Sequence, residues 1–160
     1  MAPHTDPVVL EISWEDGFAP LELPDLGHAL SEAACLLGLS EAVHMSLHFT
    51  TKALMQALNL EYRGKDYPTN VLSFDAELPE DLARQLNPAP VGELIIAPEV
   101  VNTEALAQNK SFAAHLTHLT VHGFLHLLGY DHELSDEDAD AMESLEVQIL
   151  SRVGINNPYL

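Results

Sequence analysis

The sequence has a single cysteine, Cys35, among 160 residues, which excludes an intramolecular disulfide. We therefore expect a reducing, cytoplasmic environment and interpret Cys35 as a small core residue. No run of 18 apolar residues occurs, so the sequence predicts no membrane-spanning helix. Residues 1–7 also lack the basic and apolar regions of a signal peptide, so no export signal is expected.

Basic residues are scarce: six Lys and Arg stand against 25 Asp and Glu, a net charge of −19. This balance excludes a broadly basic nucleic-acid-binding surface. Three of the six, Lys52, Arg63 and Lys65, fall within 14 residues, so any positive field is concentrated there. The segment 131–146 has eight acids and no base, which we interpret as a solvated helix face capped by Ser135. The alternative interpretation is a docking surface for a basic protein.

The apolar pattern predicts one α+β domain over residues 1–160, since apolar residues make up 47% of the chain. Alternating or apolar segments predict strands at 8–14, 43–49, 69–74 and 91–97. Helical spacing predicts about five helices, at 25–37, 51–60, 98–108, from 111 through a histidine-rich segment, and 136–152. Three prolines predict a surface loop at 77–90. We expect a mixed four-stranded sheet packed with these helices.

The histidine-rich segment has the spacing H-x-x-x-H-x-x-G-x-x-H, formed by His122, His126, Gly129 and His132. Histidines four apart on a helix share one face, so their rings can converge on one cation. Gly129 is placed to end the helix in a left-handed conformation, which lets His132 arrive as a third ligand. Three histidines with an open fourth position are typical of a catalytic zinc, so we predict one Zn²⁺ per chain at the end of a core helix.

The same spacing occurs in zinc proteases, in which a glutamate follows the first histidine and acts as general base. Here that position is Gly123, so the predicted metal cage remains and the peptidase base is absent. His118 lies one turn before His122, and we expect it to support the ligands without binding the ion. The alternative is a helix whose histidines are satisfied by backbone and carboxylate partners.

A second segment, Tyr-Arg-Gly-Lys-Asp-Tyr-Pro-Thr-Asn-Val-Leu-Ser-Phe at 62–74, is a basic turn that leads into a strand. Arg63 can make bidentate contacts to an anionic phosphate, although an ordinary surface turn has equal support from composition. This segment and His-Leu-Thr-Val-His-Gly-Phe-Leu-His-Leu-Leu-Gly-Tyr-Asp-His at 118–132 closely resemble the YbeY family of bacterial endoribonucleases. The resemblance extends from the first strand through the last helix.

The resemblance implies a zinc site on His122, His126 and His132, and a functional arginine at Arg63. It also implies cleavage of single-stranded RNA, maturation of the 3′ end of small-subunit ribosomal RNA, and association with the small ribosomal subunit and its basic proteins. The general base stays open among zinc hydroxide, a substrate 2′-hydroxyl and an outlying carboxylate. Two other functions stay open: a zinc peptidase, and a non-catalytic ribosome assembly factor with a structural zinc.

Overall fold

A mixed four-stranded sheet organises the fold in the computed structural model, which describes residues 7–130 and 135–160. The strands are β1 (Val8–Trp14), β2 (Val43–Phe49), β3 (Val71–Asp75) and β4 (Ala89–Ile96). Their order in the sheet is β1-β2-β4-β3. Strands β1, β2 and β4 are parallel, and β3 runs antiparallel to β4. The α+β class and the mixed four-stranded sheet are confirmed.

Six helices accompany the sheet within the described ranges. They are α1 (Leu26–Leu37), α2 (Lys52–Arg63), α3 (Glu80–Gln85), α4 (Pro98–Ala107), α5 (Phe112–Leu127) and α6 (Asp136–Arg152). The side chains of Asp25, Thr51, Ser111 and Ser135 accept a hydrogen bond from the first turn of α1, α2, α5 and α6, respectively. These caps satisfy backbone donors that have no partner inside the helix, which is why the helices begin there. The predicted cap at Ser135 is confirmed.

The two faces of the sheet are buried by different helices. Successive side chains of a strand point to opposite faces, so Leu94 and Ile96 of β4 face one side and Ile95 faces the other. Leu94 and Ile96 belong to the main core, which includes buried residues of α1, α5 and α6. Ile95 belongs to a smaller cluster with Met55 of α2 and Leu72 of β3. The sheet therefore places the end of α2 and the middle of α5 on either side of β3 and β4.

Helix α5 packs closely against β4 because Gly123, which has no side chain, faces Leu94. A Cβ atom added at Gly123 would lie 2.7 Å from both Cδ atoms of Leu94, which is fully buried. A larger residue would push the helix away from β4 or displace a core side chain. The missing side chain of Gly123 thus sets the distance between the neighbouring His122 and the sheet.

Two sequence predictions about the fold are wrong. The segment 77–90 is not a loop throughout, because Glu80–Gln85 forms α3 and β4 already begins at Ala89. The acidic first turn of α3 favours the helix dipole, and parallel pairing with β2 extends the strand. Cys35 is exposed and not a core residue, because it lies off the buried stripe that Leu26, Ala29, Leu30, Ala33 and Ala34 form on α1. No helix in the described part of the chain is long and apolar enough to cross a membrane.

Candidate functional site

A groove of about 610 Å³ lies between the end of α2, strand β3 and the middle of α5. Its size is that of an ordinary ligand site. The groove is lined by Tyr62, Arg63, Thr69, Asn70, Val71, Leu72, Ser73, Phe74, Leu119, His122, Gly123 and His126. Both segments singled out in the sequence therefore meet in one place, although they are about 50 residues apart in the chain.

The charge of this groove differs from that of the rest of the protein. Among the residues that the structure describes, no aspartate or glutamate lines the groove, although the chain contains 25 of them. Arg63 is the cationic side chain among these lining residues. In a chain of net charge −19, an anionic group can approach the described part of this wall without facing a carboxylate.

Arg63 is held at the groove by the way α2 ends. It occupies the last turn of the helix, where the helix dipole favours a positive charge. Gly64 follows with φ 71°, a left-handed conformation that closes the helix and turns the chain. The buried Asn59 donates from Nδ2 to the carbonyl oxygen of Tyr67 at 2.8 Å, which fastens the turn to the helix.

His122 and His126 lie four residues apart on α5 and both line the groove, as the spacing predicts. The helix ends at Leu127, and Gly129 has φ 106°, so the positive φ predicted for this glycine is present. His132, the third predicted ligand, lies outside the described residues. Within the described ranges, no three His, Cys, Asp or Glu side chains are grouped to hold a metal.

A buried carboxylate, Glu146 of α6, supports the histidines from behind. Glu146 has no exposed surface, and its Oε1 accepts a hydrogen bond from Nδ1 of His122. Its Oε2 accepts from Nε2 of His118 at 3.1 Å and from the hydroxyl of Tyr159. Nε2 of His118 also lies 3.3 Å from the Tyr159 hydroxyl. Three donors, two from α5 and one from the C-terminal segment, thus converge on one carboxylate.

These contacts keep Glu146 ionised despite its burial. Burial raises the pKa of a carboxyl because it disfavours the charged form. Here the hydrogen bonds of His118, His122 and Tyr159, together with the charge of His122, outweigh burial and lower the pKa of Glu146 from 4.5 to about 2. Burial and the adjacent Glu146 carboxylate raise the pKa of Tyr159, so its hydroxyl stays protonated and donates.

Sequence reasoning missed Glu146 and Tyr159 as parts of the site. Glu146 was included in the acidic segment interpreted as a solvated face, and for this residue the interpretation is wrong. The signal was in the spacing, since Glu146 stands among Met142, Ile149 and Leu150 on the buried stripe of α6. An acid in an apolar stripe needs a buried partner. Tyr159 carried no such signal in the sequence.

His118 takes the supporting position that the sequence predicts, since it contacts Glu146 and not the groove.

A second carboxylate, Glu104 of α4, holds the segment that leads into β3. Its Oε1 accepts from Nδ2 of Asn70 at 3.0 Å, and Nε2 of the buried His115 lies 3.0 Å from the same atom. Asn70, which directly precedes β3 and lines the groove, is thereby connected to α4 and α5.

The donor chemistry at the groove suits a zinc ion. A metal-binding histidine usually donates its other ring N–H to a carboxylate, which fixes the tautomer and the direction of the ring. His122 has this arrangement, because its Nδ1 bond to Glu146 makes Nε2 the nitrogen through which it would bind a metal. His126 supplies a second imidazole on the same face of α5, and imidazole nitrogen is a preferred zinc ligand. The described residues therefore fit the predicted metal.

The fold and the groove define an α+β protein in which an arginine lies beside helical histidines, one of which is hydrogen-bonded to a buried acid.

Comparison with known proteins identifies a family within this class. The family model described as Endoribonuclease YbeY matches residues 24–154. The chain is 57% identical to the endoribonuclease YbeY of Acinetobacter baylyi over 102 residues, which are 64% of each protein. It is 50% identical to that of Xanthomonas oryzae over 127 residues, 79% of this chain and 78% of the relative.

A solved structure agrees with the sequence comparison. The solution structure of TM1509 from Thermotoga maritima superimposes with a TM-score of 0.62 and 29% identity, over 91% of this chain and 89% of the other. The chain belongs to the endoribonuclease YbeY family. It spans 64% of the length of the Acinetobacter relative, so the activity is argued below from its own residues.

Proposed function

We propose that this protein is a zinc-dependent endoribonuclease that cleaves single-stranded RNA. The observation that carries the proposal is the groove itself, which combines Arg63, His122 and His126 and has no carboxylate among its described lining residues. Membership of the family supports the reaction class. The enzyme would hold one zinc ion on His122, His126 and His132.

The charge distribution supports an anionic substrate. Phosphodiesters are repelled by most of this surface, which carries an excess of 19 negative charges at neutral pH. Approach to the groove is the exception, because Arg63 is exposed there and no acid of residues 7–130 and 135–160 lines the wall. The planar guanidinium of Arg63 can contact two phosphate oxygens at once, which a lysine cannot do.

The roles of the residues follow from their positions. Arg63 binds the scissile phosphate and stabilises the negative charge that develops as it is attacked. Glu146 orients His122 through Nδ1 and fixes the tautomer in which Nε2 would bind a metal. When bound, zinc supplies a positive charge that polarises the phosphodiester and lowers the pKa of water. The general base stays open among zinc hydroxide, a substrate 2′-hydroxyl and an outlying carboxylate.

The structure argues against the peptidase alternative. A zinc peptidase needs a glutamate next to the first histidine. Gly123 holds that position, and its missing side chain is directed at Leu94 in the core, within 2.7 Å of where a Cβ would lie. No glutamate can be accommodated there without repacking the interface between α5 and β4. The glutamate base of such a peptidase is therefore absent, because the packing of α5 against β4 leaves no room for its side chain.

The cellular role is proposed on the family resemblance. We propose maturation of the 3′ end of small-subunit ribosomal RNA in the cytoplasm, with the small ribosomal subunit and its basic proteins as partners. The exposed acids of the first half of α6, Asp136, Glu137, Asp138, Asp140 and Glu143, suit contact with basic proteins.

The deciding experiment joins metal analysis to RNA cleavage. Protein loaded with zinc should cleave an unstructured RNA, lose the activity with a chelator and regain it when zinc is returned. His126→Ala, purified in parallel, should lose bound zinc and cleavage together, which also controls for contaminating nucleases. Intact RNA with a fully zinc-loaded protein would favour a non-catalytic assembly factor with a structural zinc. Cleavage of casein and not of RNA would favour the zinc peptidase.

A further inference from the structure

The groove contains an exposed aromatic side chain that the proposed chemistry does not use. Tyr62 lies in α2 directly before Arg63, and 59% of its surface is exposed. Most exposed tyrosines lie on open surface, but Tyr62 lines the groove together with Arg63 and the histidines. A large ring in this position is available to whatever enters the groove.

Phe74 of β3 holds this ring in place. The two ring centroids are 5.0 Å apart with an interplanar angle of 75°, an edge-to-face contact. Phe74 is itself partly buried against the cluster of Met55, Leu72 and Ile95. Tyr62 is therefore supported by an anchored neighbour, and binding at its exposed surface loses little side-chain entropy.

The neighbouring charges select the kind of molecule that can stack there. A basic peptide would meet Arg63 and no carboxylate in the part of the wall that the structure describes, whereas an anionic chain with flat, unsaturated groups would be attracted by both Arg63 and Tyr62. Unpaired RNA has that chemistry, with a phosphate at each step and a base that can stack on an aromatic ring.

We propose that Tyr62, supported by Phe74, is a stacking platform for one unpaired base of single-stranded RNA, with the adjacent phosphate at Arg63. This inference rests on the proposed function and extends it. The platform accounts for a preference for single strands, because a base inside a duplex has both faces covered by its neighbours and cannot reach the ring.

The test measures RNA binding in the full chain without cleavage. A labelled unstructured RNA is titrated with metal-free protein, and anisotropy gives the dissociation constant. Tyr62→Ala should weaken binding by about 5- to 150-fold, the range for loss of one stacked base, whereas Tyr62→Phe should stay within about twofold of the wild type. The control is Tyr67→Ala, which removes a tyrosine of similar exposure, 52%, that does not line the groove. This variant should bind like the wild type.

A double-mutant cycle combines Tyr62→Ala with RNAs that each carry one abasic nucleotide at a different position. One abasic position should weaken binding to the wild type as much as Tyr62→Ala does, and it should have no further effect on the variant. The platform is wrong if Tyr62→Ala binds like Tyr67→Ala, or if the abasic series is flat, while the wild type still binds and cleaves RNA. If the wild type binds no RNA either with or without zinc, or Tyr62→Ala weakens binding of an arginine-rich peptide instead, the proposed function fails as well.

Discussion

Replacement of Glu146 by glutamine tests the buried acid that links α6 to the candidate metal ligand His122. The change removes the negative charge and keeps nearly the same volume, so no cavity confuses the result. A glutamine has one oxygen and one NH₂ group, so it cannot accept from His118, His122 and Tyr159 as the carboxylate does. At least one buried donor is left without its acceptor.

The structure sets the size of the effect on stability. Lowering the pKa of Glu146 from 4.5 to about 2 corresponds to about 3 kcal/mol of stabilisation by the ionised form at neutral pH. We therefore expect Glu146→Gln to lower the free energy of unfolding of the metal-free protein by about 2–3 kcal/mol. Because the folded-state pKa is depressed, this contribution is complete above pH 4.5 and is lost as the pH falls through about 2. The difference between variant and wild type should therefore shrink in acid.

The same variant should bind zinc about 10- to 100-fold more weakly, because His122 loses the partner that orients its ring. Urea unfolding of the metal-free proteins gives the stability, and competition with a chromophoric chelator gives the zinc affinity. The matched control is Glu143→Gln, an exposed glutamate three residues earlier on α6, which should change neither quantity appreciably. Unchanged zinc affinity and stability in Glu146→Gln would refute the assigned role of the carboxylate.

Two other substitutions separate the remaining parts of the site. Arg63→Ala should lower RNA cleavage by about 10²- to 10³-fold with zinc content unchanged, measured beside Lys65→Ala, an exposed cation outside the groove; loss of zinc would show that Arg63 is structural. Gly123→Ala should lower the free energy of unfolding by about 1–2 kcal/mol, since overpacking against Leu94 outweighs the better helix propensity of alanine. An equally stable Gly123→Ala variant would contradict the close packing of α5 on the sheet.

The sequence predictions agreed with the structure where the pattern lay within a short stretch of neighbouring residues. The bounds of β1 and β2 agree with the prediction because alternation along a strand is visible in the sequence. Helix α3 was missed because six residues with three nearby prolines carry too little periodic signal. Cys35 was misplaced because it is adjacent to buried alanines yet lies just off their stripe. Each error concerned a position that only packing decides.

The sequence by itself determined most of the elements and the pair His122 and His126, because four residues along a helix is a local distance. It singled out Arg63 in a turn after a helix predicted to end at residue 60, whereas α2 extends to Arg63. The tertiary structure decided that Arg63 and the histidines share one groove, that no carboxylate of residues 7–130 and 135–160 lines this groove, and that Glu146 lies behind His122. Those facts depend on strand order and helix packing, which bring together residues far apart in the chain, and no local pattern encodes them.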